Sequence, residues 1–422
     1  MILGHSIALD ATPAQQAQFR RACGVARFAY NWGLAEWQRM HAAGEKPSAM
    51  KIKAKWNAVR RTEFPWSREV TKCASAQAIL DLGTAFTNFF RDVKKPKGQR
   101  RFRFPKFKSK RQDNGFALYN DQFQVDGDRV RIPRVGWVKM FEPLRFTGKI
   151  MGARVGRQGN RWHISIQVET DAALAPATGD TVGIDLGITT LMQLSRPLPD
   201  GRVQIANPRA RRSLMKRQTK LARRISRQEK VRRKTNAKTS KRQMLRRDRL
   251  RVLHYRIASI RKDAIHKATT AIASAFSTVV LESLNVAGMA KNKRLAGSIL
   301  DASPFEIRRQ IEYKVAMRGG RVVIADRWFP SSKTCHVCKH VTDKMPLSKR
   351  EWNCPTCGTI HDRDDNASQN LEQLVVSPAR AEPLPGDPVT TRGEIRALAV
   401  PKGTTKLRSV TRELQPRRSN GV

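Results

Sequence analysis

Two CxxC pairs constrain this chain more than any other feature: Cys335 and Cys338, then fifteen residues, then Cys354 and Cys357. A CxxC, a gap of about fifteen to twenty residues and a second CxxC is the spacing at which four thiolates close a tetrahedral zinc site. Residues of roughly 330–360 therefore read as a zinc ribbon holding one structural Zn²⁺. A closed four-thiolate site leaves no position for substrate, so this metal is expected to hold a loop and not to catalyse. A redox CxxC is the competing reading, and two pairs at ribbon spacing disfavour it. His336, between two ligands, is expected at the surface and off the metal. Cys23 and Cys73 stand alone and read as buried small hydrophobes.

Charge sets the next limit. Of 422 residues, 82 are Lys or Arg and 35 are Asp or Glu, a formal net charge of +47. Self-repulsion on that scale disfavours a compact state unless a polyanion neutralises it, so nucleic acid is the expected partner. A ribosomal or histone-like binder, or a basic tail on an ordinary enzyme, would share the imbalance. The basic residues run along the whole chain and not beside an apolar segment, which argues against a membrane surface. The N-terminus, MILGHSIALDATP, lacks a charged stretch followed by an apolar one, and no run of about 18 apolar residues occurs. The expectation is a cytoplasmic protein, nucleoid-associated when bound to DNA. Hydrophobic residues at 40%, with 8 Trp and 16 Phe, are enough for packed interiors.

Periodicity divides the chain. Residues 4–10 alternate as a strand, and Pro13 opens a helix in which Phe19, Cys23, Ala26, Tyr30 and Trp37 share a face. A second helix is predicted over 70–93, and the two read as a helical insertion after the first strand. The segment RRFRFPKFKSK (100–110) interleaves Arg101, Arg103, Lys106 and Lys108 with aromatics, a composition that suits stacking on bases while pairing with phosphates. It could equally be an edge strand kept soluble by its charges. From 115 to 169 six alternating segments separated by Gly, Asp and Asn predict a small antiparallel barrel or sheet, completed by the first strand. After the Ala- and Pro-rich stretch 171–180, residues 209–251 hold twenty Lys or Arg and two acids, Glu229 and Asp248. Pairing within a helix cannot account for so single-signed a run. Leu214, Leu221 and Ile225 still provide a helical seam, so this segment predicts a helical hairpin lying along a phosphate backbone, with Arg223, Arg224, Arg232 and Arg233 among its contacts. The last fifty or so residues, rich in Pro, Gly, Arg and Thr, predict disorder.

Three acids stand at the ends of predicted core elements: Asp185 in VGIDLGITT, Glu282 in VVLESLN and Asp364 in DRDDNASQN. Carboxylates are hard oxygen ligands, and a convergent set can hold two divalent ions about 4 Å apart, an arrangement suited to phosphodiester hydrolysis; Mg²⁺ is the expected ion. Any one of these acids alone would be a cap or a surface charge. The first motif also matches the phosphate loop of actin-like and chaperone ATPases, but such an ATPase needs no +47 balance and nothing later matches its second phosphate loop.

In this order and spacing, VGIDLGITT, VVLESLN, WFPSSKTCHVC, CPTCG and HDRDDNASQN resemble TnpB, the OrfB-type family of bacterial insertion sequences and a relative of type V CRISPR effector nucleases. The resemblance spans roughly residues 1–372 and is most specific over 180–372; in the N-terminal half TAFTNFF and RFRFPKFKSK carry it. It implies a multidomain α+β protein. An RNase H-like (RuvC-type) nuclease domain would occupy 181–372 with the zinc ribbon inserted, and a wedge-like oligonucleotide-binding β-barrel would form from 1–12 and 100–170. A helical recognition lobe would span 13–99, with a linker at 171–180 and a disordered tail at 373–422. The implied activity is RNA-guided DNA cleavage: a guide RNA pairs with one strand of double-stranded target DNA while the protein reads a short flanking motif. The implied catalytic triad is Asp185, Glu282 and Asp364, binding Mg²⁺; Asp362 and Asp365 are left as local hydrogen-bonding or solvated residues. Lys72 and Gln77 become candidates for contact with the flanking motif. A guide-dependent DNA-binding repressor, a miniature type V CRISPR effector and a strand-transfer transposase are the rival readings. The intact triad and a ribbon lying between its second and third acids favour the guided nuclease. Monomer and homodimer both stay open.

Overall fold

Alternation in the first ten positions forms strand β1 (Ile2–Asp10), and helix α1 (Pro13–Ala42) follows at once in the computed structural model of the chain. Thr12 starts the helix: its side chain accepts from the Gln15 N–H while Gln15 Oε1 accepts from the Thr12 N–H, and Pro13 supplies a preset φ. Helices α2 (Ala49–Val59) and α3 (Lys72–Val93) pack beside α1. The structure describes residues 1–376 apart from 110–114, 172–173, 178, 344 and 347–348, all of them within one unit, Met1–Ser377.

Strands β2 (Gly115–Tyr119), β3 (Gln124–Asp126), β4 (Arg129–Ile132), β5 (Gly136–Met140), β6 (Lys149–Gln158) and β7 (Arg161–Glu169) fall on the six alternating segments. With β1 they make an antiparallel sheet in the order β2-β6-β7-β1-β5-β4-β3. Leu9 near the end of β1 pairs with Trp162 of β7 and with Met140 of β5, so β1 joins the two parts of the sheet. The order is linear, and among the described residues no ladder closes β2 onto β3; the sheet is open where a barrel was expected. Helices cover the β2 side instead, with the Phe19 ring of α1 6.0 Å from Phe116 and 5.1 Å from Trp162. Phe19, Leu34, Ile79 and Phe86 from the helices are buried in the same core as Ile7, Val155, Ile164 and Ile166 from the strands. The helical segment and the sheet are thus one packed body.

The remainder builds a second core. Strands β8 (Gly179–Leu186), β9 (Thr190–Leu194) and β10 (Gln204–Ala206) run antiparallel, followed by α4 (Ala210–Lys234) and α5 (Lys241–Ala275). Strand β11 (Phe276–Leu281) returns parallel to β8; then come α6 (Val286–Met289), α7 (Ala296–Ala302), α8 (Pro304–Ala316) and β12 (Arg321–Ile324), parallel to β11. The sheet order is β10-β9-β8-β11-β12. A two-stranded ladder, β13 (Glu351–Asn353) with β14 (Ile360–Asp362), leads into α9 (Arg363–Val376). Val182, Ile184, Ile272, Val279, Leu281 and Ile311 fill the core between this sheet, α5 and α8. Helix α5 is about 52 Å long at 1.5 Å per residue. Its last turns lie in the core, while its first half pairs with α4 through a thin seam around Ala210, Leu253 and Ile257. That pair is the hairpin predicted from the basic run.

Two boundaries move. Gly179 and Asp180 of the expected linker already belong to β8, and α9 continues four residues into the expected tail. Residues 377–422, most of that tail, lie outside the described residues. Among the described residues no helix is long and apolar enough to cross a membrane.

Candidate active site and metal centre

Parallel pairing of β8 with β11 sets Ile184 opposite Leu281, so the next residue of each chain, Asp185 and Glu282, emerges at the same end of adjacent strands. Helix α9 brings the third acid. It lies directly on β8 because residue 183 is glycine: a β-carbon there would collide with the Ser368 carbonyl and the Glu372 N–H. Asp362 caps the helix, accepting from the N–H groups of Asp364 at 3.0 Å and Asp365 at 2.9 Å, which puts Asp364 in its first turn. Burial, then the charges of Glu282 and Asp364, push the Asp185 carboxyl from 3.8 up to about 8. The three acids therefore share one corner and repel one another.

Neighbouring side chains engage the other two acids. The Ser331 hydroxyl donates to Glu282 Oε1, and the Arg350 guanidinium donates to both oxygens of Asp364 at 3.1 and 3.2 Å. Gln193, opposite Asp185 in the β8–β9 register, donates to Asp365 at 3.3 Å. Asp362 is thus a helix cap and Asp365 a partner of Gln193. Hard oxygen donors set close together fit a divalent cation, which would oppose the burial and the repulsion that raise Asp185. The carboxylates do not yet converge on one point: among the described residues only the four thiols form a group of three or more donors close enough to share an ion.

Those thiols are Cys335, Cys338, Cys354 and Cys357, whose sulfurs all lie within 4.8 Å of one another. Cys335 and Cys357 are 3.6 Å apart and Cys338 and Cys354 3.5 Å apart, near the ~3.8 Å that a tetrahedron with Zn–S of about 2.3 Å requires. The donor set fits Zn²⁺. Hydrogen bonds from Thr359, its hydroxyl first, lower the Cys357 thiol to about 6, favouring the thiolate that a metal needs.

Ribbon and acids are mechanically joined. His361, buried on β14 two residues before Arg363, has Nε2 3.1 Å from Cys335 Sγ. One turn apart on α9, Asn366 donates to the Thr334 carbonyl at 2.7 Å and Asn370 to Ser331 and Thr334 at 2.9 and 2.6 Å. The loop bearing Ser331 and the first cysteine is thereby tied to the helix bearing Asp364. His336 corrects an expectation: it is half-buried and not a surface residue, with its N–H on Asn366 at 3.0 Å and its ring 4.9 Å from His361. It is not one of the clustered donors. Sequence reading missed Ser331, Arg350, His361, Asn366 and Asn370; all but Arg350 sat within quoted motifs, WFPSSKTCHVC and HDRDDNASQN, that could have flagged them.

The predicted nucleic-acid contacts divide. Residues 101–109 form no strand, which removes the edge-strand reading of this segment. Asp92, buried on α3, accepts from the N–H groups of Arg101 at 2.6 Å and Phe102 at 2.7 Å and pairs with Lys95 at 2.7 Å. Asn31 exchanges two hydrogen bonds with the Lys108 backbone, and Lys108 Nζ lies 4.2 Å from the Tyr30 ring centre. Between these anchors Arg101, Arg103 and Lys106 are exposed, as are Phe102 and Phe107. Lys72 is exposed at the start of α3. Gln77 is half-buried and donates to Asp81 at 3.0 Å, itself paired with Arg154. On the hairpin, Arg223 and Arg224 are exposed. Arg232 and Arg233 instead reach Glu229 at 2.7 and 3.3 Å, together with Arg247 of α5 at 2.6 Å. One acid clips the hairpin's two helices together and engages two of its four predicted contacts.

Known families match along this chain. A family described as "Probable transposase", of the OrfB IS605 type, matches residues 163–293, and a "Cas12f1-like, TNB domain" matches 305–371. A related "Helix-turn-helix domain" matches residues 1–46, which here form a strand and one continuous helix. A Streptomyces pristinaespiralis protein named as a candidate RNA-guided DNA endonuclease is 34% identical over 367 residues, covering 85% of this chain and 86% of its own length. InsQ of Escherichia coli K12, named likewise, is 31% identical over 380 residues, covering 85% of this chain and 88% of InsQ. A solved mini-RNA-guided endonuclease, CRISPR-Cas phi3, aligns over 89% of this chain and 92% of its own with 9% identity and a TM-score of 0.42.

Proposed function

The chain belongs to the TnpB (OrfB, IS605-type) family of RNA-guided DNA endonucleases, and from that premise we propose that it cuts double-stranded DNA selected by a bound guide RNA. The guide pairs with one target strand while the protein reads a short flanking motif. Hydrolysis takes place at a single RuvC-type site made by Asp185, Glu282 and Asp364. The sheet, in which β9 alone runs against β10, β8, β11 and β12, with acids at the ends of the adjacent strands β8 and β11, supports an RNase H-like reading of that half. The N-terminal sheet and helices serve as the wedge-like domain and recognition lobe. By the same reading the protein works in the bacterial cytoplasm, at the nucleoid.

One observation supports the nuclease most: in a chain of net charge +47, three carboxylates are kept together and one is pushed up to about 8. Divalent cations, Mg²⁺ on this reading, would supply the charge that steadies the attacking and leaving oxygens of a phosphodiester. Asp185 provides a rigid strand-end ligand, and Glu282 is oriented by Ser331. Asp364 is placed by the α9 cap, and Arg350, which donates to both of its oxygens, would have to yield at least one of them to a cation. Zn²⁺ held by the four cysteines keeps the Ser331 loop and α9 in register. The exposed residues of 101–108 and of α4 offer stacking and phosphate contacts to the RNA and DNA.

Expression with the native locus, sequencing of copurified RNA and challenge with a plasmid library carrying the matching target in Mg²⁺ form the test. A defined RNA and guide-dependent cuts beside a constant short motif are expected. Protein that retains no RNA would refute the guided mechanism, and tight RNA with no cutting would favour the guided repressor.

A further inference from the structure

Beside the acids, on the α8 side, lies a cleft of about 300 Å³ that the hydrolytic chemistry does not itself need. Its apolar walls are Leu186, Leu284, Val286 and Phe305, and Glu282 also lines it. Glu282 is the one of the three acids that lines it, so the cleft borders the proposed site at that carboxylate. Phe305 is the unusual member: its neighbours Pro304 and Ile307 are buried, yet Phe305 itself is 68% exposed. A lone exposed apolar side chain needs no explanation. A phenyl ring at the rim of an apolar cleft that ends in a proposed catalytic carboxylate is a different case.

The ring's position is built rather than incidental. Ser303 takes a left-handed conformation, φ 54°, between α7 and α8, a backbone state unfavourable for a residue with a side chain. Its hydroxyl donates to the Leu300 carbonyl at 2.9 Å and its N–H to the Ile299 carbonyl at 3.0 Å, which hold the kink that starts α8 at Pro304 and Phe305. Arg308 and Arg309 line the same cleft, each braced by an acid one turn away on α8, Glu312 and Glu306, at 2.7 Å. The cleft thus combines apolar walls, an aromatic face and guanidinium groups within reach of the acids.

We propose that this cleft is a base-binding subsite, which takes an unpaired nucleobase next to the scissile phosphate and stacks it on Phe305. The inference rests on the nuclease reading of the acids. A nucleobase has flat apolar faces that stack on an aromatic ring without regard to sequence, and it carries a phosphate for the arginines. The base must be unpaired, because one inside a duplex already has both faces covered. A docking protein segment would have no reason to end at a cation-binding corner. Stacking at this place holds the strand so that its phosphate meets the acids, a positioning effect that appears in the cutting rate.

The test uses the full chain with its copurified guide RNA and a matched target whose cut position has been mapped. Phe305→Ala is expected to slow cutting at saturating target about 5- to 150-fold, the range for loss of one base–aromatic stack. Phe305→Trp should stay within about 3-fold of the wild type, because the flat face is retained. Melting temperature, guide retention and target binding should be unchanged in both, since the ring is exposed. An abasic nucleotide beside the cut should slow the wild type as much as Phe305→Ala does, and should slow that variant no further. Phe305→Ala cutting at the wild-type rate, or an abasic effect that multiplies with it, would overturn the subsite alone. A wild type with no guide-dependent cutting would overturn the nuclease reading and the subsite with it.

Discussion

In the N-terminal half acids meet cations, whereas at the end of β8 in the C-terminal half Asp185 meets two other acids. Arg39 first, with Lys55, holds the Glu36 carboxyl down at about 2; Lys95, with the N–H groups of Phe102 and Arg101, does the same for Asp92. Asp81 is bridged by Arg154 at 2.6 Å. Asp185, by contrast, is driven up to about 8 in a chain with 82 basic residues to choose from. The first set settles structure: each acid fixes a helix, a segment or a sheet contact. The second leaves Asp185 holding its proton well above the usual carboxylate range, and a bound cation would let it ionise. Unsatisfied charge inside an otherwise well-packed core is where function is expected to reside.

The largest expected effect comes from cutting the ribbon away from the acids. Cys335→Ser combined with Cys354→Ser should abolish zinc binding, a term of about 10–16 kcal/mol in zinc-finger peptides, and lower cutting below detection. Limited proteolysis should still leave the N-terminal body intact, because its core shares none of the ribbon's residues. A double variant that still cuts would break the proposed link from ribbon to α9.

Next in size is Asp185→Asn, which should abolish cutting yet raise the melting temperature of chelated protein by several degrees, since about 1 kcal/mol moves Tm by roughly 2–4 °C in a domain of this size. The folded-state pKa is raised from 3.8 to about 8, so between those values the folded chain binds a proton that the unfolded chain has released. Stability of the metal-free protein should therefore fall as pH rises across that window, and the Asn variant should lose this part of the slope. Denaturant titrations at several pH values would show it; identical slopes for the two proteins would mean the acids are not in conflict.

On the satisfied side, Asp92→Asn should loosen the anchored segment and weaken nucleic-acid binding roughly 3- to 10-fold, with the cutting rate of the bound complex unchanged. A lowered cutting rate at saturating substrate would blur the division between the halves. Glu229→Gln should have the smallest effect, less than about 3-fold on affinity. Releasing Arg232 and Arg233 toward phosphates should steepen the dependence of log affinity on log salt by up to about two units, roughly 0.9 for each phosphate reached. An unchanged slope would show that these arginines never reach the backbone.

Short-range chemistry made much of this legible from sequence. The four cysteines are ordered by spacing, the strands of 115–169 by alternation, and Asp185 and Glu282 by standing at the ends of apolar runs, while Asp364 was set apart from Asp362 and Asp365 only by the family resemblance. Helix α2 escaped because it buries only Ile52 and Trp56, too few positions to set a period. Whether the sheet closes stayed open because closure depends on what covers β2, and α1 and α3 come from far along the chain. Ser331 on Glu282 and Arg350 on Asp364 are contacts between separate segments, which the motif around Ser331 does not disclose and which nothing beside Arg350 marks. Arg232 and Arg233 looked identical to Arg223 and Arg224, and only the fold shows that Glu229 faces the first pair.

The central claim is that Asp185, Glu282 and Asp364 form one hydrolytic site, and single alanine variants of each, assayed with bound guide RNA on matched DNA in Mg²⁺, test it most directly. All three should retain RNA and bind the target while cutting falls by at least about 10³-fold. One variant of the three that cuts at the wild-type rate would contradict the account.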